Sequence, residues 1–251
     1  MKVLVLSNMY PSVEKPYAGI FVQNQFKALL EILGEDQIEI RFMRRTMTGV
    51  IGSAVKYFVF FIKLIPVFFK RYDVIHFHYF FLAVLLMPYK LFYPKCKFAL
   101  TFHGQDIVRQ IPGKGFKNRF WCKALSCVDA SLPVGKKIAV EVEKKLKIPT
   151  KDIIPVGVNE KVFYPKNLEK RYDFCFVGSF YDVKGVDIIV DALKDLNRTD
   201  IRFCFCGSGP YLPLLESLKK SLNIDILGSK DHASLSQLYN SSRFLLCHSR
   251  S

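Results

Sequence analysis

Val177-Gly178-Ser179-Phe180-Tyr181-Asp182-Val183-Lys184-Gly185 completes the apolar run that begins at Phe174. The run 174–177 reads as a buried strand, Gly178 as a turn, and Lys184-Gly185 as the opening of an amphipathic helix over 186–196. A strand, a glycine turn and a helix start, in that order, make an anion cradle. The helix start offers free N–H groups and the positive end of its dipole. Lys184 adds a full positive charge. The stretch predicts an α/β fold and a phosphorylated ligand, although a Lys-Gly pair by itself is also an ordinary solvated turn.

Outward from this stretch the same alternation recurs. Upstream, strands are predicted at 2–6, 38–43, 74–78, 98–102, 130–133 and 152–155. Helices are predicted at 21–33, 53–71, 80–92, 117–126 and 136–146. Repeated strand–helix alternation with nearly unbroken apolar strands is the pattern of parallel sheets covered on both faces. Residues 155–165 hold two prolines and a glycine without helical periodicity and read as a linker. Downstream, strands are expected at 174–177, 202–206, 224–227 and 244–248, with helices at 186–196, after Pro210 to about 220, and at 235–241. The chain is thus read as two domains, 1–160 and 161–251. The second is expected to be incomplete, because four strands fall short of the usual doubly wound unit.

Composition narrows the function. Half of the 251 residues are hydrophobic, enough for a sizeable core. The seven cysteines form no Cys-x-x-Cys pair and sit mostly in apolar runs, so reduced buried thiols are expected rather than disulfides or zinc ligands. The apolar run after Met1-Lys2 ends at Ser7-Asn8, too short for a signal peptide. Residues 55–69 are interrupted by Lys56, Lys63 and Pro66 and do not read as a membrane span. The net charge is +15, and residues 1–150 carry 23 Lys and Arg against 10 Asp and Glu. Nucleic acid, an anionic membrane or an anionic substrate all suit that charge. No zinc-finger, helix-turn-helix or RNP-like pattern accompanies it, so nucleic acid is not expected.

Four further features carry candidate chemistry. Gly19, ahead of the first helix, lets backbone N–H groups approach a ligand, although the full Gly-x-Gly-x-x-Gly dinucleotide fingerprint is missing. His103-Gly104-Gln105-Asp106 sits where strand 98–102 ends, and ligands of open α/β sheets bind at such carboxyl ends. His103 suits a hydrogen bond to a sugar hydroxyl or phosphate. Asp106 is either an acceptor or a cap for the next helix. His76 and His78 flank Phe77 without a carboxylate or cysteine spaced to complete a metal site. Lys56, Lys63 and Lys70 recur every seven residues on a very apolar helix, the pattern of a helix lying in a membrane interface or of a sheet-covering helix with one wet edge. Arg109, Lys114 and Lys117 extend that basic surface.

With Pro155-Val156-Gly157-Val158-Asn159, Gly207-Ser208-Gly209-Pro210 and the run 227–249, these motifs together resemble glycosyltransferase family 4 of the GT-B fold. The resemblance implies two Rossmann-like domains with a nucleoside-diphosphate sugar between them, and retaining sugar transfer that needs no metal or other cofactor. It implies that Gly19, Ser179 and Lys184 meet the donor diphosphate and that Gly207, Ser208 and Gly209 line the donor side. His103 and Asp106 would meet the transferred sugar or the acceptor. A lipid-linked saccharide acceptor, cell-envelope polysaccharide synthesis and a place on the inner face of the cell membrane fit the basic, apolar first domain. Two departures stand out. Ser179 occupies the place where the family usually has Arg. The family's two glutamates, separated by seven intervening residues, would begin just after Ser251. The expectation is a truncated chain with little or no activity, the alternative a non-catalytic membrane- or acceptor-binding module.

Overall fold

The computed structural model describes residues 1–12, 18–43, 49–104 and 106–250. Gln105 and Ser251, both part of motifs above, lie outside the described residues. The chain divides into two units, Met1–Gly157 and Val158–Ser251.

The first unit is built on five parallel strands: β1 (Val3–Ser7), β2 (Ile38–Phe42), β3 (Val74–Phe77), β4 (Lys97–Phe102) and β5 (Ala130–Pro133). Their order across the sheet is β2-β1-β3-β4-β5. The chain moves one way from β1 to β2 and the other way from β3 onward, so the order reverses between β1 and β3. β1 is buried at every position because both faces are covered. Alternation assigns the faces. Val3, Val5 and Ile38 pack with Val22 of α1 (Ile20–Leu33). Leu4, Leu6, Phe77, Phe98 and Leu100 form the larger core on the opposite face. That face is covered by α2 (Gly49–Leu64), a short 3-10 helix (Ile65–Phe69), α3 (Phe80–Leu85), α4 (Tyr89–Phe92), α5 (Phe116–Ala124) and α6 (Lys136–Leu146), all of which contribute to that core.

Three expectations need correction here. The helix predicted over 53–71 ends at Leu64 and continues as the 3-10 segment, since Pro66 cannot donate to the α-helical ladder. Lys70 therefore lies outside the helix that carries Lys56 and Lys63, and it pairs with Glu39 at 3.0 Å. The helix predicted over 80–92 is split, with Pro88 at the N-cap of α4. Residues 152–155 form no strand. A single bridge pairs Ser131 with Thr150, and isolated backbone bonds from Lys151 and Ile154 run along β5.

The second unit has a four-stranded parallel sheet of β6 (Tyr172–Val177), β7 (Phe203–Cys206), β8 (Ile224–Ile226) and β9 (Ser242–Leu246), in the order β8-β7-β6-β9. Here the order reverses between β6 and β9. Phe176, Phe203 and Phe205 face α7 (Val186–Leu196) and α8 (Leu212–Leu218). Cys175, Cys204 and Cys206 face Leu238 of α9 (His232–Asn240). α9 starts earlier than predicted, because the Asp231 side chain caps it by accepting from the Ser234 N–H. All seven cysteines are free thiols, and only Cys247 is exposed. Among the described residues no helix is long and apolar enough to cross a membrane.

Candidate functional site

In open α/β sheets, ligands sit outside the carboxyl ends of the strands, where the strand order reverses. Each unit has one such point, and the sequence-derived residues fall at both.

In the first unit the point lies beyond β1 and β3. The chain leaves β1 through Ser7, whose hydroxyl donates to the Met9 carbonyl at 2.7 Å. Gly19, at the N-cap of α1, closes onto this exit with φ near 72°. A Cβ at Gly19 would lie 2.8 Å from the Met9 carbonyl carbon and oxygen, so only glycine permits the approach. Gly19 has no side chain to cap α1, and among the described residues no side-chain cap is present, which leaves N–H groups of its first turn open to an outside acceptor. Phe21, the second residue of α1, packs its ring on His103 with centroids 4.5 Å apart. The structure thereby brings the Gly19 turn and the His103 motif together.

His103 is also tied to β3. Its Nε2 lies 3.1 Å from Nδ1 of His78, and His76 Nε2 lies 2.8 Å from the Thr101 hydroxyl. Burial drives His76 and His103 down to about 4, and His78 well below its ordinary value. The rings are therefore neutral at pH 7, and in the His78–His103 bond one nitrogen donates and the other accepts. Among the described residues, no group of three or more His, Cys, Asp or Glu could hold a metal ion.

The buried histidines carry a stability prediction. His76 titrates near 6.5 when unfolded and near 4 when folded. The unfolded chain therefore takes up the proton first, and stability falls as pH drops from 6.5 toward 4. The loss from His76 reaches about 2 kcal/mol near pH 5. Urea titrations followed by the fluorescence of Trp121, the chain's one tryptophan, should show the midpoint falling between about pH 7 and pH 5. A midpoint that stays put would mean that the ring is hydrated.

Asp106 is not a free acceptor: it is the first residue of a π-helical turn (Asp106–Gln110) and ties that turn back to the strand end. Its carboxylate accepts from the N–H groups of His103 at 3.2 Å, Gly104 at 2.8 Å and Ile107 at 2.9 Å. Burial pushes its carboxyl up, against the pull of these N–H donors. It holds the His103 turn in place. Asn8, beyond the end of β1, was not picked out from sequence. Its Oδ1 is buried with no hydrogen-bond partner among the described residues, so it is an acceptor held in reserve at the same strand end. The only signal for it was that Ser7-Asn8 ends the first apolar run.

In the second unit the point lies beyond β6 and β9. Phe180, buried completely, anchors the loop after β6. Full burial of such a ring is worth about 2–3 kcal/mol. Ser179 on one side of it is exposed, and Lys184 closes a short 3-10 turn (Asp182–Lys184) ahead of α7. Gly185 is the N-cap of α7, and Lys184 stands immediately before it, so the pair opens the helix as the sequence predicts. Among the described residues, neither the Ser179 hydroxyl nor the Lys184 ammonium has a partner.

The turn after β7 is locked onto this loop through backbone alone. Phe180 N–H donates to the Ser208 carbonyl at 2.8 Å, and Gly178 N–H to the Cys206 carbonyl at 3.0 Å. A Cβ at Gly207 would lie 1.8 Å from the Gly178 carbonyl oxygen, so no side chain fits there. Ser179, Lys184, Gly207, Ser208 and Gly209 accordingly belong to one surface. Arg250, beyond β9, was missed by sequence reasoning. Its N–H donates to the Val183 carbonyl, its guanidinium to the Asp182 carbonyl, and it ion-pairs with Asp187 in the first turn of α7. It thereby neutralises a carboxylate that would repel an anion at this helix start.

Of the remaining candidates, Lys56 and Lys63 lie on α2, Arg109 on a π-helical turn (Asp106–Gln110), Lys114 on the following loop and Lys117 on α5. Lys70 lines a polar cavity with Lys2, Glu39 and Asp73 at the opposite, amino-terminal ends of the strands. Charges there already pair with one another, as Lys70 and Arg41 do with Glu39.

Comparison with known proteins adds the following. Residues 31–162 match the family described as Glycosyltransferase Family 4, and residues 159–251 match the glycosyl transferases group 1. An uncharacterized glycosyltransferase of Methanocaldococcus jannaschii is 34% identical over 187 residues, covering 71% of this chain and 50% of that protein. The chain thus spans about half the length of the curated relative it matches. Anabaena HepE, solved in complex with UDP, superposes with a TM-score of 0.63 at 13% identity, over 100% of this chain and 75% of that one. The catalytic domain of Arabidopsis thaliana starch synthase IV, bound to ADP and acarbose, gives 0.68 at 13% identity, over 100% and 78%. At such identities the likeness is one of fold, the GT-B fold.

Proposed function

The chain belongs to Glycosyltransferase Family 4, and we propose on that basis that it moves a sugar from a nucleoside-diphosphate sugar to a saccharide acceptor with retention at the anomeric carbon. The observation that carries this reading is Lys184. It is an exposed cation, without a partner among the described residues, on a backbone-locked loop where the strand order of the second unit reverses. When the bond from the anomeric carbon to the diphosphate breaks, negative charge develops on the leaving phosphate oxygen. In this reading Lys184 neutralises that charge, and the Ser179 hydroxyl adds one hydrogen bond. In this account that charge falls to Lys184 rather than to a metal ion. The UDP- and ADP-bound relatives support a nucleotide donor of this kind.

In the first unit, the neutral His103 serves as hydrogen-bond partner to the transferred sugar or the acceptor hydroxyl. His78 sets its tautomer and Asp106 its backbone position. We assign the second unit to the donor and the first to the acceptor. The acceptor is proposed to be a lipid-linked saccharide of cell-envelope polysaccharide synthesis, handled at the inner face of the membrane. The concentration of basic charge and apolar surface in the first unit supports that location.

The test has two readouts. In calorimetric titrations, UDP or ADP should bind at least about tenfold more tightly than the matching monophosphate, because the second phosphate is what the lysine meets. Where transfer is detected, proton NMR of the product should show the anomeric configuration of the donor. Equal affinity for mono- and diphosphates would remove the donor site, and an inverted product would remove the retaining assignment.

A further inference from the structure

Among the described residues, α2 turns an apolar side outward. Phe60 and Leu64 are buried against the sheet, yet the outer side carries Val55, Phe58, Val59 and Ile62. The 3-10 segment continues this outer side with Ile65 and Phe69. These six side chains are between 41% and 82% exposed. A sheet-covering helix ordinarily turns charged residues to water on that side. At 3.6 residues per turn, positions 55, 58, 59 and 62 form one stripe, and Lys56 and Lys63 run along one border of it.

Neighbouring elements extend the apolar surface. Phe68 meets Phe92 of α4 at 6.5 Å, and on α4 Leu91 and Phe92 are 83% and 69% exposed. Rings also link Tyr57 of α2 to Phe81, Phe81 to Trp121 of α5, and Trp121 to Phe120. Phe116 and Phe120 are exposed on α5 among Lys114, Lys117 and Arg119. Apolar rings ringed by lysines and arginines, on a segment of net charge +13 over residues 1–150, call for an occupant that is apolar within and anionic at its surface. A second copy of the chain would match the apolar side but bring the same positive charge where an anionic surface is needed.

We propose that α2 and the 3-10 segment lie in the headgroup region of an anionic bilayer, with Phe58, Ile62 and Phe69 inserted and the lysines on the lipid phosphates. The proposal deepens the membrane location put forward above and rests on it. Vesicle binding is read without donor or acceptor, so its failure would leave the sugar-transfer reading standing.

The experiment is flotation of the protein with vesicles of equal parts phosphatidylglycerol and phosphatidylcholine, against phosphatidylcholine alone. The parent should float with the anionic vesicles at low salt and poorly with the neutral ones. A variant carrying Phe58→Asn, Ile62→Asn and Phe69→Asn should bind at least about tenfold more weakly at every salt concentration. A Lys63→Glu, Lys117→Glu variant should weaken binding mainly at low salt. Circular dichroism and unchanged UDP affinity would establish that both variants are folded. Absence of parental flotation on anionic vesicles would overturn the proposal. So would a folded asparagine variant that floats like the parent. Sedimentation showing a parental dimer that the asparagine variant dissolves, without vesicle binding, would assign the face to a second copy instead.

Discussion

Gly207→Ala is expected to lower the urea midpoint of the second unit by about 1–3 M. The new Cβ would sit 1.8 Å from the Gly178 carbonyl oxygen and 3.1 Å from the Phe180 ring. The first of these is a backbone atom, which cannot swing aside like a side chain. Its strand is itself held by the Gly178 N–H to Cys206 carbonyl bond. The backbone at Gly207 also has φ near 150°, which an alanine adopts only under strain. Relief requires the loops after β6 and β7 to part, with loss of that bond and of the Phe180 to Ser208 bond. Overpacking with broken backbone pairing costs about 3 kcal/mol or more. With urea slopes of about 1–3 kcal/mol/M this is a shift of molar size. Circular dichroism follows the transition, and Trp121, in the first unit, serves as an internal reference. An unchanged midpoint would show that the two loops are not locked together.

The same interlock explains what a linear reading can and cannot find. Period-2 and period-3.6 patterns reveal which segments are strands and helices, because burial on a sheet face is written locally. They gave the alternation and the parallel sheets. They did not show where a helix stops when its apolar pattern runs on. Pro66 and Pro88 stop the α-helical ladder, while the hydrophobic periodicity continues through Phe69 and Phe92. Nor did they show that residues 152–155 stay unpaired, since strand formation needs a neighbour with free edge groups and β5 supplies only isolated bonds.

The candidate site divides in the same way. Gly19, His103, Ser179, Lys184 and Gly207 stand at strand ends, and strand ends are legible. Asp106 was legible as two alternatives, an acceptor or a cap, and its N–H donors, two of them ahead of it in the chain, instead tie it to the His103 turn. Asn8, the His78–His103 bond and the Arg250–Asp187 pair join residues whose approach depends on strand order. Nothing in the local sequence announces that β9 lies beside β6, and without that fact Arg250 is only a basic residue after an apolar run. The spacing of Lys56, Lys63 and Lys70 left two readings of this segment, a membrane-interface helix and a sheet-covering helix with one wet edge, and only the packed sheet shows which side of α2 is left uncovered.

Lys184→Ala should weaken binding of a nucleoside diphosphate by about 10- to 100-fold, while leaving the fold intact. The side chain is exposed and makes no contact that holds the loop, since the 3-10 turn is closed by backbone bonds from Lys184 to Tyr181 and from Gly185 to Asp182. Its removal therefore deletes charge and hydrogen bonds to the phosphate, and such bonds are worth about 1.5–3 kcal/mol. Arg250 cannot make good the loss while its guanidinium serves Asp187 and the Asp182 carbonyl. Lys184→Arg keeps the charge and should recover part of the affinity. The corresponding monophosphate, which lacks the group the lysine meets, should lose little. The most direct measurement is accordingly a calorimetric titration of UDP and ADP into the parent chain and the Lys184→Ala chain. The account predicts tight parental binding and a loss of at least tenfold in the variant. Parental and variant curves that coincide, or a parent that binds neither nucleotide, would contradict it.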